Sequence, residues 1–247
     1  MTRSAEDFEV VQGLISAGAN NCQIVRLTGV PLTTVRRWRA QPERVPRPEL
    51  CPRCGNGQAD RPGYAYLLGL YLGDGHIVEC PRAVFKLSIY LDRRYPGIVT
   101  ECRSAMGLVR RDGKINRRTR RDNCVEVYSW WKHWPCLSPQ HGAGMKHLRR
   151  IELQDWQAQI VRDHPDRFLW GLIHSDGSRM LNRVRRGTRS YAYPRYQFTN
   201  LSADIRHLFC CACEELGVSW RQSNACTVSV SRSADVARLD EFVGPKM

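Results

Sequence analysis

Two short segments of the sequence end in the same acidic turn. Residues 66–75 read YLLGLYLGDG and residues 168–177 read FLWGLIHSDG. Each segment is apolar almost all round, which predicts a buried helix with an aspartate, Asp74 or Asp176, at its C-terminal end. Two carboxylates brought together at helix C-termini face an unfavourable dipole and each other's charge, and divalent cations relieve both costs. Paired divalent metals are suited to phosphodiester hydrolysis.

Small residues predict how these two helices meet. Gly69 and Gly73 lie one helical turn apart, and so do Gly171 and Ser175, so each helix has a groove of small residues on one face. Two such grooves let helices cross with their backbones almost touching, which would bring the two aspartates side by side. One copy alone would equally fit a buried strand followed by a turn. Two copies with matched flanks favour the helices.

The duplication extends through residues 64–247. Residues 142–146 (GAGMK) and 243–246 (VGPK) form a second pair of similar turns, which end in Lys146 and Lys246. Between the acidic turn and the lysine, each copy has an alternating strand, a helix and another alternating strand. Two copies of one α+β fold are therefore predicted, at residues 64–146 and 168–247, joined by an amphipathic linker helix within residues 147–167.

LLGLYLGDG and LWGLIHSDG resemble the two signature helices of the LAGLIDADG (DOD-type) homing endonucleases, in their single-chain, two-repeat form. The resemblance implies αββαββα repeats whose two four-stranded sheets form a saddle over duplex DNA, and site-specific cleavage of double-stranded DNA. It also implies that Asp74 and Asp176 bind catalytic Mg²⁺. By the same resemblance, Lys146 and Lys246 would lie near the attacking water and the scissile phosphate.

The two motifs depart from the family pattern at one position. The earlier acid of the motif is replaced by Leu72 in the first copy and by His174 in the second. In the family that acid is generally structural, so the departure leaves the catalytic expectation in place. A monomer is expected because the second signature helix is supplied by the same chain. No intein splicing junction is visible, so the chain is expected to be free-standing.

Two other functions are compatible with this resemblance. Certain actinobacterial sporulation regulators combine degenerate LAGLIDADG repeats with a helix-turn-helix, in the opposite order, and bind DNA without cutting it. Those regulators have lost their catalytic acids, whereas Asp74 and Asp176 are both present here. Intron maturases use the same saddle to bind structured RNA. The endonuclease is the leading hypothesis, and the non-cleaving regulator is the alternative.

Residues 1–40 predict three short helices arranged as a helix-turn-helix. In such modules the last helix enters the major groove of DNA. Val35 and Trp38 would face inward. The residues expected to contact DNA are Thr33, Thr34, Arg36 and Arg37. A plain three-helix bundle with a basic face is the alternative interpretation.

The charge of the chain favours a nucleic-acid partner. It has 38 Lys and Arg against 24 Asp and Glu, a formal net charge of +14, and an excess of this size is typical of proteins that bind nucleic acid. Two basic runs are expected to contact double-stranded DNA from strands, although such runs are often only solvated surface. Their arginines are Arg110, Arg111, Arg117, Arg118, Arg120, Arg121, Arg183, Arg185, Arg186, Arg189 and Arg195.

Residues 41–63 are rich in proline, glycine and charge, which indicates a linker. Cys51 and Cys54 within it have the spacing of half a zinc knuckle. Cys210 and Cys213 are the best candidates for the other two ligands, and small buried thiols are the alternative interpretation. A further cluster could ligate zinc or resemble an HNH-type nuclease, but its prolines favour a packed structural loop. Its members are His133, Cys136 and His141.

Composition limits where this chain works. With 42% hydrophobic residues it can bury a core, which excludes wholesale disorder. The longest apolar stretch, residues 64–72, is much shorter than the ~20 residues of a membrane helix. The N-terminal residues contain no signal-peptide core. The 11 cysteines are therefore expected to be free thiols or metal ligands in a cytoplasmic, nucleoid-associated protein.

Overall fold

The computed structural model describes residues 3, 5–43, 45, 51–55, 57–111, 113–244 and 246. Two compact units divide the chain, residues 1–58 and residues 59–247. Among the described helices, none combines the length and the apolarity needed to cross a membrane.

The smaller unit contains three helices around a small core. They are α1 (Ala5–Ser16), α2 (Asn21–Thr28) and α3 (Leu32–Ala40). Asn20 and Gln23 form a capping box at the start of α2, and Gly29 ends that helix with φ 65°. The rings of Phe8 and Trp38 meet edge to face with their centroids 5.2 Å apart. Val35 and Trp38 are buried as expected.

The larger unit contains two copies of one arrangement. The first copy comprises α4 (Arg61–Asp74), β1 (Gly75–Cys80), β2 (Val84–Asp92), α5 (Pro96–Val109), β3 (Asn116–Thr119), β4 (Cys124–Trp131) and α6 (Trp134–Leu137). The connecting helix is α7 (Asp155–Asp163). The second copy comprises α8 (Pro165–Asp176), β5 (Gly177–Arg186), β6 (Arg189–Thr199), α9 (Ala203–Glu215), β7 (Arg221–Asn224), β8 (Thr227–Val230) and α10 (Ser233–Asp240). The expected α+β class and αββαββα order are confirmed.

Each copy folds its four strands into an antiparallel sheet. The strand orders are β1-β2-β4-β3 and β5-β6-β8-β7. Because side chains alternate across a strand, every second residue enters the core. Leu87, Ile89 and Val127 fill the inner face of the first sheet, and Phe198 and Val228 fill the inner face of the second. The opposite face of each sheet is called its open face below.

The signature helices begin earlier than the sequence predicts. The side chain of Asp60 accepts a hydrogen bond of 2.7 Å from the Gly63 amide, and Pro62 follows at the first turn, so α4 begins at Arg61. Pro165 begins α8 in the same way. The linker therefore ends at Asp60, and the boundaries predicted at residues 64 and 168 lie inside these helices.

Candidate active site and nucleic-acid interface

The helices α4 and α8 touch backbone to backbone. A β-carbon added to Gly69 would lie 2.5 Å from the carbonyl oxygen of Phe168 and 2.7 Å from the amide nitrogen of Leu172. A β-carbon on Gly171 would collide with the carbonyl oxygen of Tyr66. Only glycine permits this approach, so the structure pairs the small-residue grooves as the sequence predicts.

This crossing brings the two aspartates together. Asp74 ends α4 and Asp176 ends α8. A β-carbon added to Gly73, the residue before Asp74, would lie 2.9 Å from Oδ2 of Asp176 and would collide with the side chain of Ser175. The two carboxyl groups therefore share one partly enclosed site at the ends of two helices.

Burial and mutual repulsion raise the pKa of both acids. The pKa of Asp74 rises from 3.8 to about 7, chiefly because burial penalises its charged form and then because Asp176 is close. Burial also raises the pKa of Asp176, but Asn200 opposes the shift by donating a hydrogen bond of 2.6 Å to its Oδ2. The protein therefore balances the negative charge of the two carboxylates only in part, and a bound cation would balance the rest.

The two late lysines cap the two signature helices. Lys146 Nζ donates hydrogen bonds to the carbonyl oxygens of Tyr71, Leu72 and Gly73, and the last two are 2.9 Å long. Lys246 Nζ donates a hydrogen bond of 3.1 Å to the carbonyl oxygen of His174. The last carbonyl groups of a helix lack intrahelical partners, although the Tyr71 carbonyl also accepts from the Gly75 amide, and a cation at a helix C-terminus is favourable.

Burial lowers the pKa of both lysines, to about 8 for Lys146, while the nearby aspartates favour the charged form. Each lysine therefore places a positive charge beside the acids of the crossing. Their expected position near a scissile phosphate stays a prediction.

Two cavities flank the acid pair. One has a volume of ≈ 620 Å³, and its polar lining includes Asp74, Asp176, Lys146, His76, Arg149 and Asn200. The other, of ≈ 520 Å³, is lined by Asp74, Asp92, Arg94, Tyr95 and Lys246, among others. Four of these lining residues were not predicted from the sequence: His76, Arg149, Asn200 and Asp92. His76 and Asn200 had a usable signal, because they directly follow a predicted turn or strand.

The residue that replaces the earlier acid in the second motif is buried and neutral. His174 Nε2 accepts a hydrogen bond of 2.8 Å from the indole of Trp170, so its proton lies on Nδ1, which is 2.9 Å from the hydroxyl of Tyr66. Burial and then Lys246 lower the pKa of His174 to about 4. Leu72, at the matching position, is fully buried. Both residues pack the helix crossing.

The open face of the first sheet holds aromatic rings and clamped cations. Tyr128 and Trp130 project from β4 on the side away from Val127, and Trp130 is 44% exposed. Arg118 and Arg120 lie on this face and contact Glu126. The remaining arginines of the first run lie elsewhere.

Arg110 does not lie on a strand. It follows α5, and its guanidinium bonds to Ser129, whose side chain lies on the inner face of the sheet. Its expected contact with DNA stays a prediction. Arg117 pairs with Val127 and points away from the open face, and Arg111 and Arg121 lie exposed beyond the ends of β3.

The second basic run forms the long β5–β6 hairpin, with arginines on both of its sides. Arg195 pairs with Met180 on the open face, and Arg189 shares that side. Arg183 pairs with Ala192 and Arg185 with Ser190 on the opposite side, which continues from the inner face. The side chain of Arg186 is outside the described part of the chain.

The four helix-turn-helix candidates lie on one short helix in the smaller unit. Thr33, Arg36 and Arg37 are exposed, and Thr34 is half-buried. Their contact with DNA stays a prediction.

The cysteine and histidine candidates for a metal site lie in both units and are described unit by unit. In the smaller unit, Cys51 is buried and Cys54 is exposed. In the larger unit, Cys210 and Cys213 lie on α9 in the core, and the side chains of His133 and Cys136 are 3.7 Å apart, from Nδ1 to Sγ. Metal binding by any of these residues stays a prediction.

No protein-family profile matches this sequence, and no curated protein sequence matches it. Among solved structures, variants of the homing endonuclease I-DmoI are similar, at 14% identity over 74% of this chain and 96% of that chain, with a TM-score of 0.49. The LAGLIDADG meganuclease I-AabMI bound to uncleaved DNA is similar at 12% identity over 72% of this chain and 82% of that chain, with a TM-score of 0.47. Full-length DUF199/WhiA from Thermatoga maritima is similar at 11% identity over 77% of this chain and 57% of that chain, with a TM-score of 0.48. Similarity at this level does not say whether this chain cleaves DNA.

Proposed function

We propose that this chain is a site-specific endonuclease that hydrolyses double-stranded DNA with the help of Mg²⁺. The observation that carries the proposal is the meeting of Asp74 and Asp176 at the ends of two crossing helices, beside Lys146 and Lys246. The same unit carries two sheets with basic residues on their open faces. An acid pair next to two cations is suited to a phosphodiester, and the basic faces are suited to a duplex.

The residues present fit a divalent cation. Asp74 and Asp176 offer carboxylate oxygens, which are the ligands that Mg²⁺ prefers, and the raised pKa of each shows that its charge is incompletely balanced. When bound, the cation would supply Lewis-acid stabilisation of phosphate charge and activation of water. Lys146 and Lys246 add positive charge at the same site, and Asn200 holds the Asp176 carboxylate in one orientation.

The second candidate is a DNA-binding regulator that does not cut. One observation favours it: both lysines already bond to main-chain carbonyl groups, so the acids and lysines could serve the helix crossing alone. Under this alternative the chain would bind one DNA sequence and leave it intact. A maturase would instead prefer folded RNA.

A cleavage selection separates these functions. The chain is incubated with a randomised duplex library in Mg²⁺, and the cut ends are sequenced. We expect a long consensus with a fixed break, absent for the double variant Asp74→Asn, Asp176→Asn, which should still bind the consensus. Binding to a consensus without any break would establish the regulator. A preference for folded RNA would establish the maturase. Light scattering of the same sample tests the expected monomer.

We also infer that Cys51 and Cys54 bind a structural Zn²⁺. The amide of Arg53 donates to the Cys51 sulfur over 3.4 Å, and the Gly55 amide closes the turn on the Cys51 carbonyl. A tight turn around two thiols at this spacing is suited to two of the four ligands of a tetrahedral Zn²⁺.

Metal content tests this assignment. We expect one Zn²⁺ per chain, and Cys54→Ser should lose the ion. Retention of the ion in Cys54→Ser would contradict the assignment. Cys210→Ser tests whether Cys210 is a further ligand.

A further inference from the structure

The open face of the first sheet has a carboxylate at its centre. Glu126 projects from β4 on the same side as Tyr128, and its side chain is 0% exposed. Its Oε1 accepts hydrogen bonds from Lys86 and from Ser88, the latter 2.9 Å long. Its Oε2 accepts bonds of 2.6 and 3.2 Å from Arg118 and one of 3.1 Å from Arg120. A single carboxylate therefore binds three cationic side chains, those of Lys86, Arg118 and Arg120, and this arrangement is called the clamp below.

This acid stays charged over the whole physiological range. Burial opposes its ionisation, but the hydrogen bonds from Lys86, Arg118, Ser88 and Arg120 outweigh that effect and lower its pKa to about 2. Aromatic rings add to the clamp. Lys86 Nζ lies 4.4 Å from the ring centre of Tyr128, and the Arg120 guanidinium lies 5.8 Å from that of Tyr90. The cations are thus fixed both by charge and by stacking.

A negative charge at this place is unfavourable if the face only attracts phosphate. Glu126 cancels one of the three positive charges around it, and an apolar residue there would leave all three available. What the carboxylate adds is orientation. Arg118 donates two of its N–H groups to Oε2, while 54% of its side chain stays exposed. Its remaining donors keep a fixed direction, and reading of base edges depends on direction whereas phosphate attraction does not.

The described residues of the second sheet form no equivalent clamp. The registers Gly75↔Ile89 and Gly177↔Phe198 align the two copies, so that Glu126 corresponds to Thr227. Thr227 bonds to the hydroxyl of Thr199 over 3.0 Å and contacts no cation in the described structure. The clamp therefore lies on the open face of the first sheet and not on that of the second.

We propose that Glu126 is a positioning residue for sequence recognition by the first sheet: it holds Arg118 and Arg120 toward base edges of duplex DNA and limits non-specific attraction to phosphate. This inference rests on the proposed DNA-binding function. It predicts that one half of the target is specified more strictly than the other.

The test compares binding to the selected consensus with binding to unrelated duplex, in Ca²⁺ so that no cutting occurs. Glu126→Gln should bind unrelated duplex several-fold more tightly with a steeper salt dependence. It should bind the consensus no more tightly, so the specificity ratio falls at least tenfold. The matched control Glu152→Gln makes the same charge change at an exposed residue paired with Arg150, and should leave the ratio unchanged.

A second variant keeps the inference testable if Glu126→Gln does not fold. Arg118→Lys keeps the charge but loses the planar fork, so it should lower the specificity ratio with an unchanged salt slope. A wild-type ratio in both variants would overturn the positioning role and leave the proposed function intact. Failure of the wild-type chain to prefer any duplex would overturn both.

Discussion

Asn200 donates a 2.6 Å hydrogen bond to the Asp176 carboxylate, and the described residues of the first copy contain no counterpart of this bond. The strand registers place Leu91, a buried apolar residue, at the position that matches Asn200. The two acids therefore differ in their surroundings although their helices are related by duplication. Asp176 is held by a neutral donor, whereas Asp74 has only burial, its twin and the two lysines.

This difference predicts unequal chemistry at the two strands of the duplex. Removal of the hydrogen bond in Asn200→Ala should raise the pKa of Asp176 further and reduce its affinity for a divalent cation at neutral pH. We expect one strand to be cut about tenfold more slowly, so that nicked DNA accumulates on a supercoiled plasmid. The deficit should shrink as the pH rises toward 9. Equal slowing of both strands at every pH would contradict this prediction.

The backbone contact at the helix crossing predicts a sharp response to one methyl group. Gly69→Ala would press a β-carbon against main-chain atoms of Phe168 and Leu172, so the free energy of unfolding should fall by about 3 kcal/mol or more. Gly107→Ala is the matched control, because Gly107 lies in α5 with nothing near its β-carbon position. That variant should gain about 0.4–1 kcal/mol. Urea unfolding measures both, and similar values for the two would refute the close contact.

The raised pKa of Asp74 predicts how stability depends on pH without metal. Between its ordinary value of 3.8 and its folded value of about 7, the folded state binds more protons than the unfolded state. Stability therefore falls as pH rises through this window, and the loss is complete above it. Asp74→Asn removes the effect and should be more stable than wild type at pH 8 by on the order of 3 kcal/mol.

Thermal unfolding in a chelator at pH 4 and pH 8 checks this prediction. At pH 4 the advantage of Asp74→Asn should nearly vanish, because the carboxyl group is protonated in the folded wild-type chain. Mg²⁺ at pH 8 should stabilise the wild-type chain and leave the variant unchanged. A constant difference at both pH values would mean that burial of charge is not the cause.

The two sides of the β5–β6 hairpin predict unequal roles for its arginines. Arg195 lies on the open face, where it pairs with Met180. Arg195→Ala should weaken duplex binding about tenfold. Arg183→Ala, on the other side, removes the same charge and should weaken it less than threefold. Titrations at two salt concentrations compare them, and a larger effect of Arg183→Ala would reverse the assigned faces.

Local spacing was sufficient for the helix crossing and the acid pair. Gly69, Gly73, Gly171 and Ser175 repeat at one helical turn, and this short-range pattern fixes which face of each helix can approach another. The strands could also be predicted from the sequence, because alternating apolar residues such as Leu87 and Ile89 indicate the inner face of a sheet.

Pairings between distant parts of the chain could not be read in the same way. Arg110 and Arg118 belong to one basic run. Arg110 nevertheless bonds to Ser129 on the inner face of the sheet, whereas Arg118 bonds to Glu126 on the open face. The sequence of the run does not show which of its arginines lies on which face. For the same reason, composition and spacing do not show which distant residues of a fold become neighbours.

Under the proposed function, the contact between α4 and α8 would separate two properties of the enzyme. Because the acids are attached to helices in backbone contact, the offset between the two broken bonds would be set inside the core. The residues proposed to contact DNA lie on the sheets and could change without moving the acids. A lineage of such enzymes could therefore acquire new targets while every member leaves an overhang of the same length.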